Sequence, residues 1–293
     1  MSNSPAERRS YSENLASDQT FDIHPITPRV GAEIGGIDLA QLTDADAEAI
    51  RSILVDRKAI VFRNQNITTA QYASFMRIFG DPVTEDLVAE PGNPPQVGAI
   101  HIRPDERQRI NFWHMDHSFR DLPSPILSLH AKILPPCGGD TLFASLEAAY
   151  DSLSEATKKR IEGLHTLHKI TPTQNSKRRY TKEQMTGMEN APSVRHPLVG
   201  LNPDNGRKFL FVNIPIYCRS IAEMQNEQGD ALLKKLYRHV QRPEFHFRLC
   251  WTPNTLVVWE NVHCLHYPVA DYFPHERKLW RVAIKGTERP ALA

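Results

Sequence analysis

The sequence predicts an α+β fold, a β-sandwich or jelly-roll core decorated by helices. Three observations lead there. Strand-like runs gather in the middle and at the end of the chain, helical runs stand before and between them, and no internal repeat divides the 293 residues. β-rich chains commonly reach this length as one unit, so a single domain over residues 20–293 is expected. Residues 1–19, rich in Ser, Glu and Arg and without the apolar stretch of a secretory signal, read as a disordered lead-in.

The elements follow in order. Thr43 is a capping residue before acidic positions, and Ile50, Ile53 and Leu54 recur at helical spacing, so Thr43 to Lys58 is a helix. Ala59-Ile60-Val61-Phe62 is a short apolar run, read as a buried strand. Thr68 or Thr69 caps a second helix carrying Tyr72, Phe75, Met76 and Phe79, which Gly80-Asp81-Pro82 stops. Ile126 to Leu134 alternates between prolines and is a strand; residues 145 to 162 look helical. From about Ile170 to Asn205, Pro, Gly, Lys, Arg and Asn follow no period, which reads as a long loop, a lid or an insertion. Gly229 to Gln241 sets Leu232, Leu233, Leu236, Tyr237 and Val240 on one helical face. Strands return at Phe245 to Trp251, Thr255 to Glu260 and Leu279 to Lys285.

Lys plus Arg number 35 against 34 Asp plus Glu, and a net charge of +1 offers no field to gather nucleic acid or an anionic membrane. The run Ser176-Lys177-Arg178-Arg179 reads as a solvated loop. No stretch approaches the roughly 20 apolar residues that cross a bilayer. Cys137, Cys218, Cys250 and Cys264 are far apart and form no C-x-x-C pair, as expected of reduced thiols in a cytoplasmic enzyme.

Chemistry enters with the 13 histidines. One His-x-Asp triplet exists, His114-Met115-Asp116, and on a strand residues two apart share a face, so imidazole and carboxylate can meet one cation. By itself the triplet is weak, since about one would arise by chance. A third ligand must come from elsewhere. His263 and His266 are candidates, and three residues of strand put them on opposite faces, so only one can serve. Two His and one carboxylate leave open positions suited to an iron(II) oxygenase that binds a chelating cosubstrate and dioxygen.

Further motifs stand in order along the chain. They are Val30-Gly31-Ala32-Glu33-Ile34-Gly35-Gly36-Ile37-Asp38-Leu39, Val61-Phe62-Arg63-Asn64-Gln65, Phe79-Gly80-Asp81-Pro82, Trp113-His114-Met115-Asp116, Gly138-Gly139-Asp140-Thr141, Trp259-Glu260-Asn261, and His266 followed by Arg277 and Arg281. With these the chain resembles the taurine and chlorophenoxyacetate dioxygenases, iron(II) and 2-oxoglutarate enzymes built on a double-stranded β-helix, a jelly-roll barrel. The resemblance implies that His114, Asp116 and His266 hold iron(II), which decides the third ligand. It also implies that Thr141 hydrogen-bonds the distal carboxylate of 2-oxoglutarate and that Arg277, eleven residues after His266, pairs with it. A guanidinium offers that carboxylate two parallel donors. Arg281 shares the Arg277 strand face by parity, and in relatives it lies against the cosubstrate or an acidic group of the substrate.

The implied reaction consumes 2-oxoglutarate and dioxygen, releases succinate and carbon dioxide, and oxidises a C–H bond of a small, acidic organic substrate. Because Asp116 keeps its carboxylate, hydroxylation is favoured over halogenation. Two departures stand out. Trp259-Glu260-Asn261-Val262 replaces the frequent Trp-Asp-Asn-Arg, altering a contact at the surface or behind the ligands. Val83-Thr84-Glu85-Asp86 stands where the taurine enzyme supplies a histidine to its sulfonate, and an acidic pair would repel that group, so taurine is not the expected substrate. Partners are expected to be the small-molecule substrate, with neither nucleic acid nor membrane, and the family is compatible with a homodimer or tetramer. Two rivals are a zinc hydrolase on the same ligands, against which Arg277 and Thr141 count, and a jelly-roll module that binds a ligand without turnover.

Overall fold

The computed structural model describes residues 21–84, 89–172 and 180–293. The first half of the chain contributes β1 (Asp22–Pro25), β2 (Ala32–Gly35), α1 (Asp44–Arg57), β3 (Ala59–Phe62), α2 (Thr69–Met76), β4 (Gly98–Ile102), β5 (Ile126–Ile133), β6 (Thr141–Ser145) and α3 (Leu146–Asp151). The second half adds α4 (Glu155–Ile161), β7 (His165–His168), α5 (Lys182–Asn190), β8 (Val194–Pro197), β9 (Val199–Leu201), β10 (Lys208–Leu210) and β11 (Cys218–Ile221). It closes with α6 (Glu227–Val240), β12 (His246–Leu249), β13 (Leu256–Glu260), β14 (Cys264–Pro268), β15 (Arg277–Ala283) and β16 (Ala291–Leu292).

A seven-stranded sheet runs β1-β2-β3-β13-β5-β15-β4, and a three-stranded sheet runs β12-β6-β14. Within the larger sheet β2 and β3 pair in parallel and the other neighbours antiparallel. Alternation explains the continuous apolar runs at its centre. Ala59 and Val61 of β3, with Val257 and Trp259 of β13, join Phe143 of β6 and Phe247 of β12 in one cluster between the two sheets. Ile60, Phe62, Leu256 and Val258 point the other way, into a cluster with Ile50, Ile53 and Leu54 of α1 and Tyr72 and Phe75 of α2. Strands covered on both faces need no polar alternation, so they read as short hydrophobic blocks. A third cluster seats the apolar face of α6, with Leu232, Leu233 and Leu236, against Ala144 of β6 and Leu265 of β14.

Local chemistry sets the helix ends. Thr43 and Thr68 each form a capping box, with Asp46 and Gln71. Lys58 ends α1 in the left-handed region at φ 64°.

Two expectations require correction. The helix foreseen over 145 to 162 is two, because Ser152, Leu153 and Ser154 interrupt it and the Ser154 hydroxyl caps α4 by accepting from the Thr157 N–H. The loop foreseen over 170 to 205 contains α5, β8 and β9. A capping box of Thr181 and Gln184 starts α5, but the helix buries no residue, so its sequence carries no apolar stripe to betray it. The lead-in over 1–19, the basic run Ser176-Lys177-Arg178-Arg179 and the Glu85-Asp86 pair lie outside the described residues. All four cysteines are unpaired.

Candidate metal centre

Three strands and a turn build the site. His266 lies mid-way along β14, opposite Phe143 of β6, and Thr141 at the start of β6 pairs with Pro268. Residues two apart on a strand share a face, so Thr141, Phe143 and His266 look into the space between the sheets. On the facing sheet, Arg277, Leu279 and Arg281 of β15 alternate with partly exposed neighbours and are all buried. The segment bearing His114 joins β14 through one bridge: the His114 N–H donates to the His266 carbonyl, and the His266 N–H to the His114 carbonyl, both at 2.9 Å. The strand expected over His114 to Asp116 stops there. Residues 116–119 form a turn, and His117 takes φ 60°.

The bridge sets two imidazoles side by side, ring centres 4.1 Å apart. Ligand atoms of His114, Asp116 and His266 all lie within 4.8 Å of one another, close enough to share one cation. The His114 Nδ1 is 2.9 Å from the Phe112 carbonyl, which can only accept, so Nδ1 carries the proton and Nε2, 3.5 Å from Asp116 Oδ1, presents its lone pair. Burial pushes His266 down to about 3, with the neighbouring His114 adding to the effect. Burial would raise Asp116, but the positive groups around it prevail and its carboxyl is held below the ordinary range. Since His266 is neutral near pH 7, the lasting counter-charges are guanidiniums: Arg120 acts on the carboxylate, and the Arg281 Nη2 is 3.0 Å from Asp116 Oδ2. The resemblance implies a place for Arg281 against cosubstrate or substrate; in the fold it forms an ion pair with Asp116.

Arg277 is 2 % exposed, yet its Nε and Nη2 have no hydrogen-bond partner among the described residues. The surface ion pairs open to it in sequence are otherwise engaged: Glu276 meets His101 at 2.6 Å, and Asp271 accepts from the Gly139 N–H at 2.8 Å. The guanidinium lies 5.7 Å from the ring centre of Trp251 and 5.8 Å from that of Tyr272. Burial pushes it down to about 10, which leaves it charged near pH 7. The Trp251 indole N–H donates to Thr141 Oγ1 at 3.1 Å, so the threonine's own proton is free to donate elsewhere. A buried cation with unused donors, close in sequence role to a hydroxyl with one to give, fits a carboxylate. The three-ligand set likewise fits a divalent iron.

A second cluster, Glu147, Glu260 and His263, also has ligand geometry. Its cation is built in. Lys58 Nζ lies 2.7 Å from Glu147 and 2.9 Å from Glu260, with all three side chains buried. His263 therefore belongs to this group, apart from the site, and Glu260, the departure from the frequent aspartate, is a core anchor with no surface role.

Sequence reasoning missed Trp251, Tyr272 and Asn213, which no spacing relates to the ligands. Asn213 reaches the site's backbone from the loop after β10, and only the folded chain brings it there.

Fold and site together define a mononuclear non-haem oxygenase class. Comparison with known proteins gives the particular family. Residues 22–283 match the family model "Taurine catabolism dioxygenase TauD, TfdA family", and the chain belongs to that family. Among curated proteins it is similar to the (S)-phenoxypropionate/alpha-ketoglutarate-dioxygenase of Sphingobium herbicidovorans, 27 % identical with 91 % of this chain and 95 % of that protein covered. Among solved structures it resembles a putative alpha-ketoglutarate-dependent taurine dioxygenase from Burkholderia xenovorans, with TM-score 0.79, 28 % identity and coverage of 92 % and 94 %. It also resembles AAD-2 in complex with Mn(II) and N-oxalylglycine, with TM-score 0.78, 28 % identity and coverage of 93 % and 100 %. The chain is a 2-oxoglutarate-dependent dioxygenase with a mixed helix and strand fold, using iron(II), 2-oxoglutarate and dioxygen. Among the described residues no helix is long and apolar enough to cross a membrane.

Proposed function

We propose that this dioxygenase hydroxylates a C–H bond of a small organic acid, with iron(II) held by His114, Asp116 and His266 in a double-stranded β-helix spanning residues 20–293. The observation that carries the reading is the convergence of those three ligand atoms within 4.8 Å. Bound iron with 2-oxoglutarate and dioxygen supplies the oxidising power and yields succinate and carbon dioxide. The chain's own residues position and shield. His114, its Nδ1 proton given to Phe112, turns Nε2 to the cation. Arg277 and Thr141 receive the distal carboxylate of 2-oxoglutarate, the guanidinium by two donors and the hydroxyl by the proton that Trp251 leaves it. Arg281, 3.0 Å from the carboxylate, and Arg120 favour the ionised form of Asp116 that can ligate.

An acidic substrate is favoured by the charges near Asp116, where Arg120 acts on the carboxylate alongside Arg281. Phenoxypropionate and taurine, which the names of two similar proteins carry, are both acids. Near-neutral net charge and four unpaired thiols favour a cytoplasmic enzyme with neither nucleic acid nor membrane as partner.

The test is aerobic succinate release by iron-loaded protein, across aryloxyalkanoates, alkyl sulfonates and sulfate esters. Turnover should require both iron and 2-oxoglutarate and should vanish in His266→Ala. Turnover that persists in His266→Ala, or that runs with zinc and no 2-oxoglutarate, rejects the assignment.

A further inference from the structure

We propose that Asn213 and Asn261 are positioning residues for the metal centre, gripping the peptide backbone of Met115 and Asp116 as a neighbouring strand would. The inference rests on the ligand assignment above. A carboxamide has one acceptor and two donors, so it can answer the N–H and C=O of one residue at once. Asn261 does this for Asp116: its Oδ1 accepts from the Asp116 N–H at 3.1 Å, and its Nδ2 donates to the Asp116 carbonyl at 2.9 Å. The second Nδ2 proton goes to the Ser124 carbonyl at 2.8 Å. Asn213 does the same for Met115, accepting from its N–H at 3.1 Å and donating to its carbonyl at 2.8 Å, with the remaining proton on Ser118 Oγ at 2.6 Å.

Both asparagines are at most 1 % exposed. With the His114–His266 bridge, every residue of the His-x-Asp triplet has its backbone held on both polar groups, yet no regular strand runs past His114. That is the arrangement needed where a carboxylate must leave a turn at one fixed angle. A ligand aimed this way loses little freedom when the cation arrives, and loosening such supports typically costs about 10- to 100-fold in metal affinity. Asn261 is itself fixed, because the preceding Glu260 is tied to Lys58 and to His263.

The experiment measures cobalt(II) binding to metal-free protein without oxygen, by titration and by the ligand-field absorption bands, together with thermal stability. Asn261→Ala should weaken cobalt about 10- to 100-fold and alter the bands. Ile50→Ala, a core change under α1 in a cluster that contains neither the His114–Asp116 segment nor β14, should lower the melting temperature while leaving cobalt affinity unchanged. Should Asn261→Ala fail to fold, Asn213→Ala carries the test under the same criterion. Cobalt affinity within twofold of the parent, with unaltered bands, overturns the proposal. Parent protein whose cobalt binding is indifferent to His114→Ala would instead sink the ligand assignment itself.

Discussion

At the scale of single residues, Arg277 is the most informative side chain. A guanidinium at 2 % exposure with two nitrogens unanswered costs folding energy until an anion arrives. Replacing it with an apolar side chain of similar length should therefore spare the protein and harm only the site. Metal-free Arg277→Met is expected to melt at or above the parent temperature, while its affinity for 2-oxoglutarate drops by about 2–5 kcal/mol. Adding 2-oxoglutarate with manganese should raise the melting temperature of the parent and not of the variant. A large loss of stability in Arg277→Met would show that the guanidinium has a structural anion already. Arg277 was legible in sequence only through a family spacing, since its chemistry depends on being deprived of partners and sequence does not display burial.

At the scale of elements, the turn of Gly138 and Gly139 packs against Arg277, the side chain proposed to receive the cosubstrate. Both take left-handed conformations, at φ 76° and 70°, and a Cβ on Gly139 would come within 3.1 Å of Arg277 Cδ and Nε. Gly139→Ala should strain the turn, displace that arm and raise the KM for 2-oxoglutarate several-fold more than it lowers kcat; equal effects on both would argue against this. The link between α1, α3 and β13 is different in kind. Removing Lys58 strands Glu147 and Glu260 in the core, so Lys58→Met should cost about 3–5 kcal/mol in urea unfolding. Adding Glu147→Gln and Glu260→Gln should recover part of that, and no recovery would refute the pairing as the cause.

Elements also show what a sequence reveals. α1 and α2 are readable because each pairs a cap with an apolar stripe, and α6 by its stripe alone, its Asn226 cap going unread. β3 and β13 were readable as hydrophobic blocks. α5 hid because nothing covers it, and the end of the strand at Asp116 hid because its cause is two asparagines about 100 and 145 residues further on. The proposed iron ligands are legible as a set only when separate motifs are taken together, since His263 and His266 are equivalent on local grounds. In the fold His263 sits 3.2 Å from Glu260, while His266 gathers with His114 and Asp116.

At the scale of the whole molecule, buried histidines set the response to acid. Burial pushes His130 down to about 4, and His168 and His196 are driven down by burial too. These imidazoles bind protons more readily unfolded, near 6.5, than folded. Stability should thus be complete above about pH 6.5 and fall as pH drops toward 4, with His130 alone worth about 3 kcal/mol across that window. Melting of metal-free protein from pH 8 to 5 should show this decline, and His130→Gln should flatten it by roughly one proton; a profile level down to pH 5 would exclude the mechanism. His130 Nε2 donates to the Gln65 carbonyl at 2.9 Å, a bond glutamine can keep.

The reciprocal hydrogen bonds between the backbones of His114 and His266 have a kinetic corollary. Two donors 152 positions apart in sequence are already spliced by their own peptide groups, so capture of a cation needs no rearrangement of the chain. Iron uptake should then proceed as a single fast encounter whose speed tracks ion concentration, and the far-ultraviolet dichroism of the protein should stay the same before and after loading.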